Sequence, residues 1–242
     1  MTDLPERLFL NPVWHALHTR HREFAVEAGE ACRYPADVAP FAAVATSNMS
    51  AMRELASLLA PEEAVWIFAE EYLAVDELNR LETLKCLQMV LPEEVMPPER
   101  EMDLVRLSAE DGPAMVALTD VAFPGFFRSR TYAMGSYFGV RLEGRLIAMG
   151  GERLKLDGYP EGGYPEISGV CTHPDHRGKG YAASLIWEVV RKHRRDGDVS
   201  WLHVGAANRK AIELYQRMGF VTSREVTLHR ITRSGRDVPS GY

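Results

Sequence analysis

Cysteine is scarce in this chain: Cys32, Cys86 and Cys171 are three residues among 242. Their odd number and wide spacing exclude a disulfide framework and give no zinc-ligand pattern. Long apolar runs are also missing, so no segment is expected to span a bilayer and no membrane partner is expected. The opening Met1-Thr2-Asp3-Leu4-Pro5-Glu6-Arg7 lacks the charged-then-apolar order of a signal peptide, which makes the cytoplasm the expected location. Nor is there an excess of positive charge. The formal net charge is −6, opposite in sign to the basic footprint of nucleic-acid binders, so no nucleic-acid partner is expected. The best basic cluster, Arg191-Lys192-His193-Arg194-Arg195, falls where a helix should end. Cations favour that end of the helix dipole, and the cluster reads as a solvated terminus.

What remains is an ordinary globular composition, long enough for one large domain or two modest ones. In the first hundred residues, Asn11-Pro12 predicts a helix start, with Val13, Trp14, Leu17, Phe24 and Ala28 at helical spacing and Gly29 as its close. Ser47 or Asn48 can cap a second helix carrying Met52, Leu55, Leu58 and Leu59. Residues 64–68 predict a short buried strand, and Leu84, Cys86 and 88–91 another. The stretch from Leu91 to Arg100 is proline-rich and acidic, as linkers are. It divides the chain into a smaller α/β N-terminal domain, 1–98, and a second domain, 99–242.

The second half has clearer periodicity. A strand is predicted over 102–107, followed by the capping-box pattern Ser108-Ala109-Glu110-Asp111 and a helix bearing Ala114, Leu118 and Val121. Two strands, 137–142 and 146–154, meet at Glu143-Gly144-Arg145, a hairpin signal. The doubled tripeptide Gly158-Tyr159-Pro160 and Gly163-Tyr164-Pro165 reads as a lengthened hairpin loop, and a strand follows over 166–172. Ala182, Leu185, Ile186, Val189 and Val190 then mark an amphipathic helix closed by Gly197. A strand at 201–204, a helix with Ala207, Ala211, Leu214, Tyr215 and Met218, and one or two strands over 221–231 complete the chain. The order β-α-β-β-β-α-β-α-β predicts an α+β (mixed α/β) fold, a mostly antiparallel central sheet with flanking helices.

The turn Arg177-Gly178-Lys179-Gly180-Tyr181-Ala182 is the most informative feature. Glycines let successive N–H groups face one concavity, and the helix that starts there adds partial positive charge, a setting for a phosphate or pyrophosphate. The alternative is a glycine-rich helix start with no ligand. A Walker A loop fails, because Lys179 is followed by Gly180-Tyr181 rather than by Ser or Thr. The dinucleotide fingerprint fails at Ala183.

This hexapeptide resembles the R/Q-x-x-G-x-G/A signature of the GNAT superfamily of N-acetyltransferases. Ile167-Ser168-Gly169-Val170-Cys171-Thr172 resembles that family's fourth strand, and Asn208-Arg209-Lys210-Ala211-Ile212-Glu213-Leu214-Tyr215-Gln216-Arg217-Met218-Gly219-Phe220 its N-x-x-A-x-x-x-Y-x-x-x-G-F helix. The likeness covers roughly residues 102–232 and is nearest to the branch of glycine N-acyltransferases, with a degenerate N-terminal half. It implies acetyl-CoA as cofactor. Backbone groups of Val170, Cys171 and Thr172 would lie along its pantetheine arm, residues Arg177, Gly178, Lys179, Gly180, Tyr181 and Ala182 would hold its pyrophosphate, and Asn208 would reach it. The implied acceptor is a small-molecule or peptide amine.

The implied reaction needs a neutral amine and a proton for the leaving thiolate. Deprotonating a lysine-type amine at pH 7 costs roughly 4.6 kcal/mol, and an α-amino group about 1.1 kcal/mol. By the resemblance, Tyr215 is the general acid, although it also shares an apolar helix face and can serve as core. Glu166 is either the general base or a charged strand-end residue facing water. Cys171 fits a small buried hydrophobe better than an acyl-accepting nucleophile. His203 and His229 are candidates for the acceptor pocket or for satisfied core histidines, and Arg128 and Arg130 for carboxylate recognition or a solvated loop. A non-catalytic acyl-CoA sensor is the alternative function.

Overall fold

The computed structural model describes residues 6–99, 102–158 and 162–235. It opens with two short helices, α1 (Glu6–Leu10) and α2 (Pro12–His18), with Pro12 at a first-turn position where its missing N–H has no cost. The helix expected to reach Gly29 stops at His18. The polar run Thr19-Arg20-His21 interrupts the apolar repeat, a 3-10 turn covers Arg22–Phe24, and β1 (Val26–Ala28) follows. Gly29, at φ +56°, turns a hairpin into β2 (Ala31–Arg33) instead of capping a helix. With β3 (Ala42–Val44) these strands form a three-stranded antiparallel sheet. α3 (Met49–Ser57) begins as expected, Asn48 Oδ1 accepting from the Ala51 amide at 2.9 Å.

β4 (Ala64–Phe68) matches its expected bounds, whereas β5 (Leu78–Val90) is much longer than expected. After the buried Leu78, residues 79–83 are exposed on both faces, so no alternation marks this half in the sequence. After the 91–98 stretch the elements are β6 (Val105–Leu107), α4 (Gly112–Ala122), β7 (Tyr137–Leu142), β8 (Arg145–Asp157), β9 (Gly163–Thr172), α5 (Tyr181–Asp196), β10 (Trp201–Gly205), α6 (Arg209–Arg217) and β11 (Val221–Arg233). This is the expected order. Both arms of the Ser108–Asp111 capping box form, around a 3-10 turn that leads into α4. Glu143 and Gly144 carry φ of +50° and +80°, the double left-handed turn that a two-residue hairpin requires. Of the doubled tripeptide, Tyr159 and Pro160 lie outside the described residues, and Gly163-Tyr164-Pro165 opens β9.

An eight-stranded sheet runs in the order β4-β11-β5-β10-β9-β8-β7-β6. Among the described pairings, β9 with β10 is parallel and the others are antiparallel. β5, from before the proline-rich stretch, sits between β10 and β11, from after it. The sheet therefore draws strands from both sides of the 98/99 boundary. Strand alternation sends Phe138, Val140, Ile147 and Leu202 to one face, where they pack on Leu185, Ile186, Val189 and Val190 of α5. Trp201 turns to the other face with Phe9, Val13, Leu17 and Tyr34 of the N-terminal segments. Each fully buried large apolar side chain contributes about 1.5–3 kcal/mol.

The basic cluster at the end of α5 is more engaged than a solvated terminus. Arg191 donates to the Pro98 carbonyl at 2.6 Å and Arg194 to the Pro92 carbonyl at 2.7 Å. Spaced three apart, these arginines lie on one helix face and fasten the 91–98 segment to α5. His193 points inward, between Ser200 Oγ at 2.8 Å and Glu152 Oε1 at 3.1 Å. No described helix is long and apolar enough to cross a membrane.

Candidate active site

All five residues of β10 pair with β5, but only Trp201 and Leu202 pair with β9, opposite Glu166 and Ile167. Beyond that point β10 follows β5 and the two parallel strands splay. Among the described residues, the edge of β9 from Ser168 onward has no strand partner on the β10 side. β9 is also bulged there. Its register with β8 shifts between Gly151↔Ser168 and Met149↔Cys171, and Gly169 takes φ +64°. A bulge re-aims local backbone groups, here those of Gly169 and Val170, toward the splay.

At the end of β9, a 3-10 turn over Pro174–His176 delivers the chain to the glycine turn. Gly178 and Gly180 have φ of +80° and +81°, with open space where a side chain would stand. Gly180 is the N-cap of α5 and offers no side-chain acceptor. The first N–H groups of a helix have no intrahelical acceptor, so the amides of this turn are free to hold an anion. Arg177 and Lys179 are exposed at its rim. An open strand edge leading to an uncapped helix start fits a pantetheine arm followed by a pyrophosphate.

A cavity of about 350 Å³ occupies the splay, with Ile167, Val170, Val204 and Gly205 on its strand walls. Asn208, Ala211 and Tyr215 close it on the α6 side. Asn208 Oδ1 accepts from the Ala211 amide at 3.3 Å and so caps α6, while its side chain also borders the cavity. The Tyr215 ring meets Phe220 edge-on, with centroids 5.8 Å apart. Burial pushes the Tyr215 hydroxyl up to about 12, so it is protonated at neutral pH. Core packing and access to the cavity coexist in this residue.

Glu166 faces neither water nor the cavity. It is fully buried and takes two hydrogen bonds from Arg153, at 2.9 and 2.6 Å, and one from His203 Nδ1 at 2.7 Å. The Leu154 amide adds a fourth at 3.3 Å. Burial opposes its charge, but Arg153 and then His203 outweigh that penalty and hold the carboxyl down at about 2. His203 Nε2 lies 3.1 Å from the Gln88 side-chain nitrogen. With the Gln88 amide donating there, the Nδ1 proton points to Glu166. The Arg153 guanidinium lies over the Phe41 ring, 4.7 Å from its centroid.

The remaining candidates separate. Cys171 is buried and its thiol is pushed up to about 12 by that burial, the state of an inert core cysteine. His173 accepts from the Asp175 amide and shapes the turn. Among the described residues, no group of three or more His, Cys, Asp or Glu side chains is placed to hold a metal ion. His229 is buried against Thr83 and Tyr72 and does not border the cavity. Arg130 pairs with Asp37 at 3.2 Å, and Arg128 borders a neighbouring groove with Glu62 and Arg230. Sequence reasoning missed the far wall of the cavity, made by Phe41, Phe68, Phe123, Phe126 and Arg153. Its members come from four separate segments, and no local spacing connects them.

The comparisons with known proteins agree with this geometry. The profile of the acetyltransferase (GNAT) family matches residues 103–220. A curated mycothiol acetyltransferase from Nocardiopsis dassonvillei is 33% identical over 76 residues, a match covering 31% of this chain and 22% of that relative's length. A solved GNAT acetyltransferase from Kribbella flavida shares the fold, with a TM-score of 0.62 at 18% identity and 98% coverage of both chains. A solved acetyltransferase of the GNAT family from Novosphingobium aromaticivorans superposes with a TM-score of 0.84 at 36% identity, covering 93% of this chain and 98% of its own. With the splayed strands and the uncapped glycine turn in place, the chain belongs to the GNAT family of acetyltransferases.

Proposed function

We propose that the protein transfers an acetyl group from acetyl-CoA to an amine by direct attack, with Tyr215 as general acid. The observation that carries this reading is a single cavity at the β9/β10 splay. It joins the open edge of β9, the Asn208 cap and the Tyr215 ring. The names of the relatives support acetyl as the group transferred.

Acetyl-CoA supplies an activated thioester. The amides of Gly178, Lys179, Gly180, Tyr181 and Ala182 hold the pyrophosphate, assisted by Arg177 and Lys179. Backbone groups of Val170, Cys171 and Thr172 align the pantetheine arm, and the N–H groups at the bulge polarise the thioester carbonyl. The Tyr215 hydroxyl holds the proton that the departing thiolate takes. Glu166, ionised and fully engaged, positions His203 and Arg153 in place of the expected base role. The expected resemblance to glycine N-acyltransferases, with a degenerate first half, is kept as part of this proposal, in which the first half adds strands and a cavity wall. A cytoplasmic site of action suits three free, buried cysteines.

Tyr215→Phe tests the reading. Turnover should fall about 10²-fold or more while calorimetric acetyl-CoA affinity stays within twofold. Parallel loss of both removes Tyr215 as the acid. Tight acetyl-CoA binding with no turnover on amino acids, polyamines, aminoglycosides or short peptides favours the sensor reading instead.

A further inference from the structure

The lining that the cavity shares with Tyr215 indicates which amine it takes, an inference that rests on the acyl-transfer reading. Phe41, Phe68, Phe123, Phe126 and Leu84 make this wall apolar. Among the described residues, the titratable groups bordering the cavity are Arg153, His203, Tyr215 and Cys86, and none is a carboxylate. Glu166 lies behind Arg153 and His203, fully buried, with its oxygens already engaged. An alkylammonium entering here meets a guanidinium and no anion, and burying an unpaired charge costs several kcal/mol.

The rings do not replace the missing anion. Phe126 stacks on Trp66 at 5.7 Å and 22°, and on Phe123 at 5.5 Å and 14°. Phe41 stacks on Phe68 at 6.4 Å and 24° and also carries Arg153. Faces occupied by one another and by Arg153 offer little to a second cation, and a cation–π contact is worth only about 0.5–2 kcal/mol. Their edges, with Leu84, leave an apolar surface on which an uncharged aromatic body packs edge to face.

We propose that the acceptor is an amine already neutral at physiological pH, carried on a flat aromatic body: an arylamine, in preference to a lysine side chain, a polyamine or another alkylammonium. The arylamine lone pair is delocalised into its ring, so no protein carboxylate is needed to remove a proton before attack. The N–C bond forms as the thioester C–S bond breaks. The proton that nitrogen loses leaves to solvent, and the thiolate takes the one from Tyr215, which solvent restores.

The test is thiol release from acetyl-CoA by the full chain at pH 7 to 9, with p-anisidine against phenethylamine, cyclohexylamine and spermidine. At pH 7, p-anisidine should have at least a tenfold higher kcat/KM than any alkylamine. Its advantage should shrink about tenfold per pH unit as the alkylamines lose their protons. Leu84→Asp places a carboxylate in the wall and should cut the advantage over phenethylamine by tenfold or more, and Ser168→Asp does the same from β9 if the first variant folds poorly. Faster turnover of phenethylamine or spermidine at pH 7 overturns this inference and leaves acyl transfer standing. No turnover of any amine by protein that binds acetyl-CoA overturns both.

Discussion

Glu166 Oε1 accepts a 2.7 Å hydrogen bond from His203 Nδ1 across the last paired rung of β9 and β10, where the two strands begin to part. The same carboxylate accepts two hydrogen bonds from Arg153. The wall of the cavity is thus fixed by an ion pair with no exposed oxygen. Such a group orders its neighbours and has no free lone pair for an incoming amine.

Replacement by Glu166→Gln therefore acts on stability and geometry. It leaves Arg153 buried without its anion, and removing one partner of a buried pair costs about 3–5 kcal/mol. For a chain of this size the melting temperature should fall on the order of 10 °C. The acid limb of the pH–rate profile should keep its midpoint. Loss of that limb in a variant that melts normally would restore Glu166 as the base.

The glycine turn makes a second prediction. Gly178 and Gly180 are both left-handed, and a Cβ at either would meet nothing within 4 Å. Alanine there costs about 1–2 kcal/mol through backbone conformation and not through a clash. Gly178→Ala and Gly180→Ala should each weaken acetyl-CoA about tenfold in calorimetry. Neither should weaken acetyl-pantetheine, which has no pyrophosphate. Equal losses for the two ligands would place the pyrophosphate elsewhere.

His21 gives the fold a defined acid sensitivity. It is buried, with Tyr34 Oη 2.8 Å from Nδ1 and the Met134 carbonyl 3.0 Å from Nε2, and so links the two halves of the chain. Burial first, then Lys155, lowers its pKa to about 4. The unfolded chain gains this proton near pH 6.5 and the folded one near 4, so the stability present above 6.5 is lost as pH falls toward 4. The loss should be on the order of 3 kcal/mol. Urea titrations of the wild type and His21→Asn at pH 7 and pH 4.5 measure it. A wild-type loss no larger than the variant's would remove His21 as the cause.

The sequence carries those parts of the site that are local in the chain. The glycine turn and the repeat Leu185, Ile186, Val189, Val190 lie within single elements, and both are found where their spacing puts them. Glu166 is ambiguous in the sequence because its meaning depends on Arg153, thirteen positions away on the neighbouring strand. A strand-end glutamate facing water has the same local pattern. The aromatic wall was hidden for the same reason, since Phe41, Phe68 and Phe126 meet only once the chain has folded. The full length of β5 is not legible because residues 79–83 are exposed without alternation and its partners, β10 and β11, lie more than a hundred residues downstream.

That placement of β5 makes the last prediction. A boundary at 98/99 suggests separable halves, and Glu93, Glu94, Met96, Pro98 and Glu99 are exposed along this stretch, where a protease can be tried. Yet β5 supplies ladder partners to both β10 and β11, including Met89, which is fully buried. Pulling it out would leave two strand edges and the core under α5 open to water. Chain nicked between 91 and 99 should therefore remain one particle in size-exclusion chromatography under native conditions, with its acetyl-CoA affinity within twofold of intact protein. Residues 99–242 expressed alone should aggregate or show no cooperative melt. A cooperative melt and acetyl-CoA binding by that fragment would show that the second half folds by itself, and that β5 is an addition to a sheet already complete.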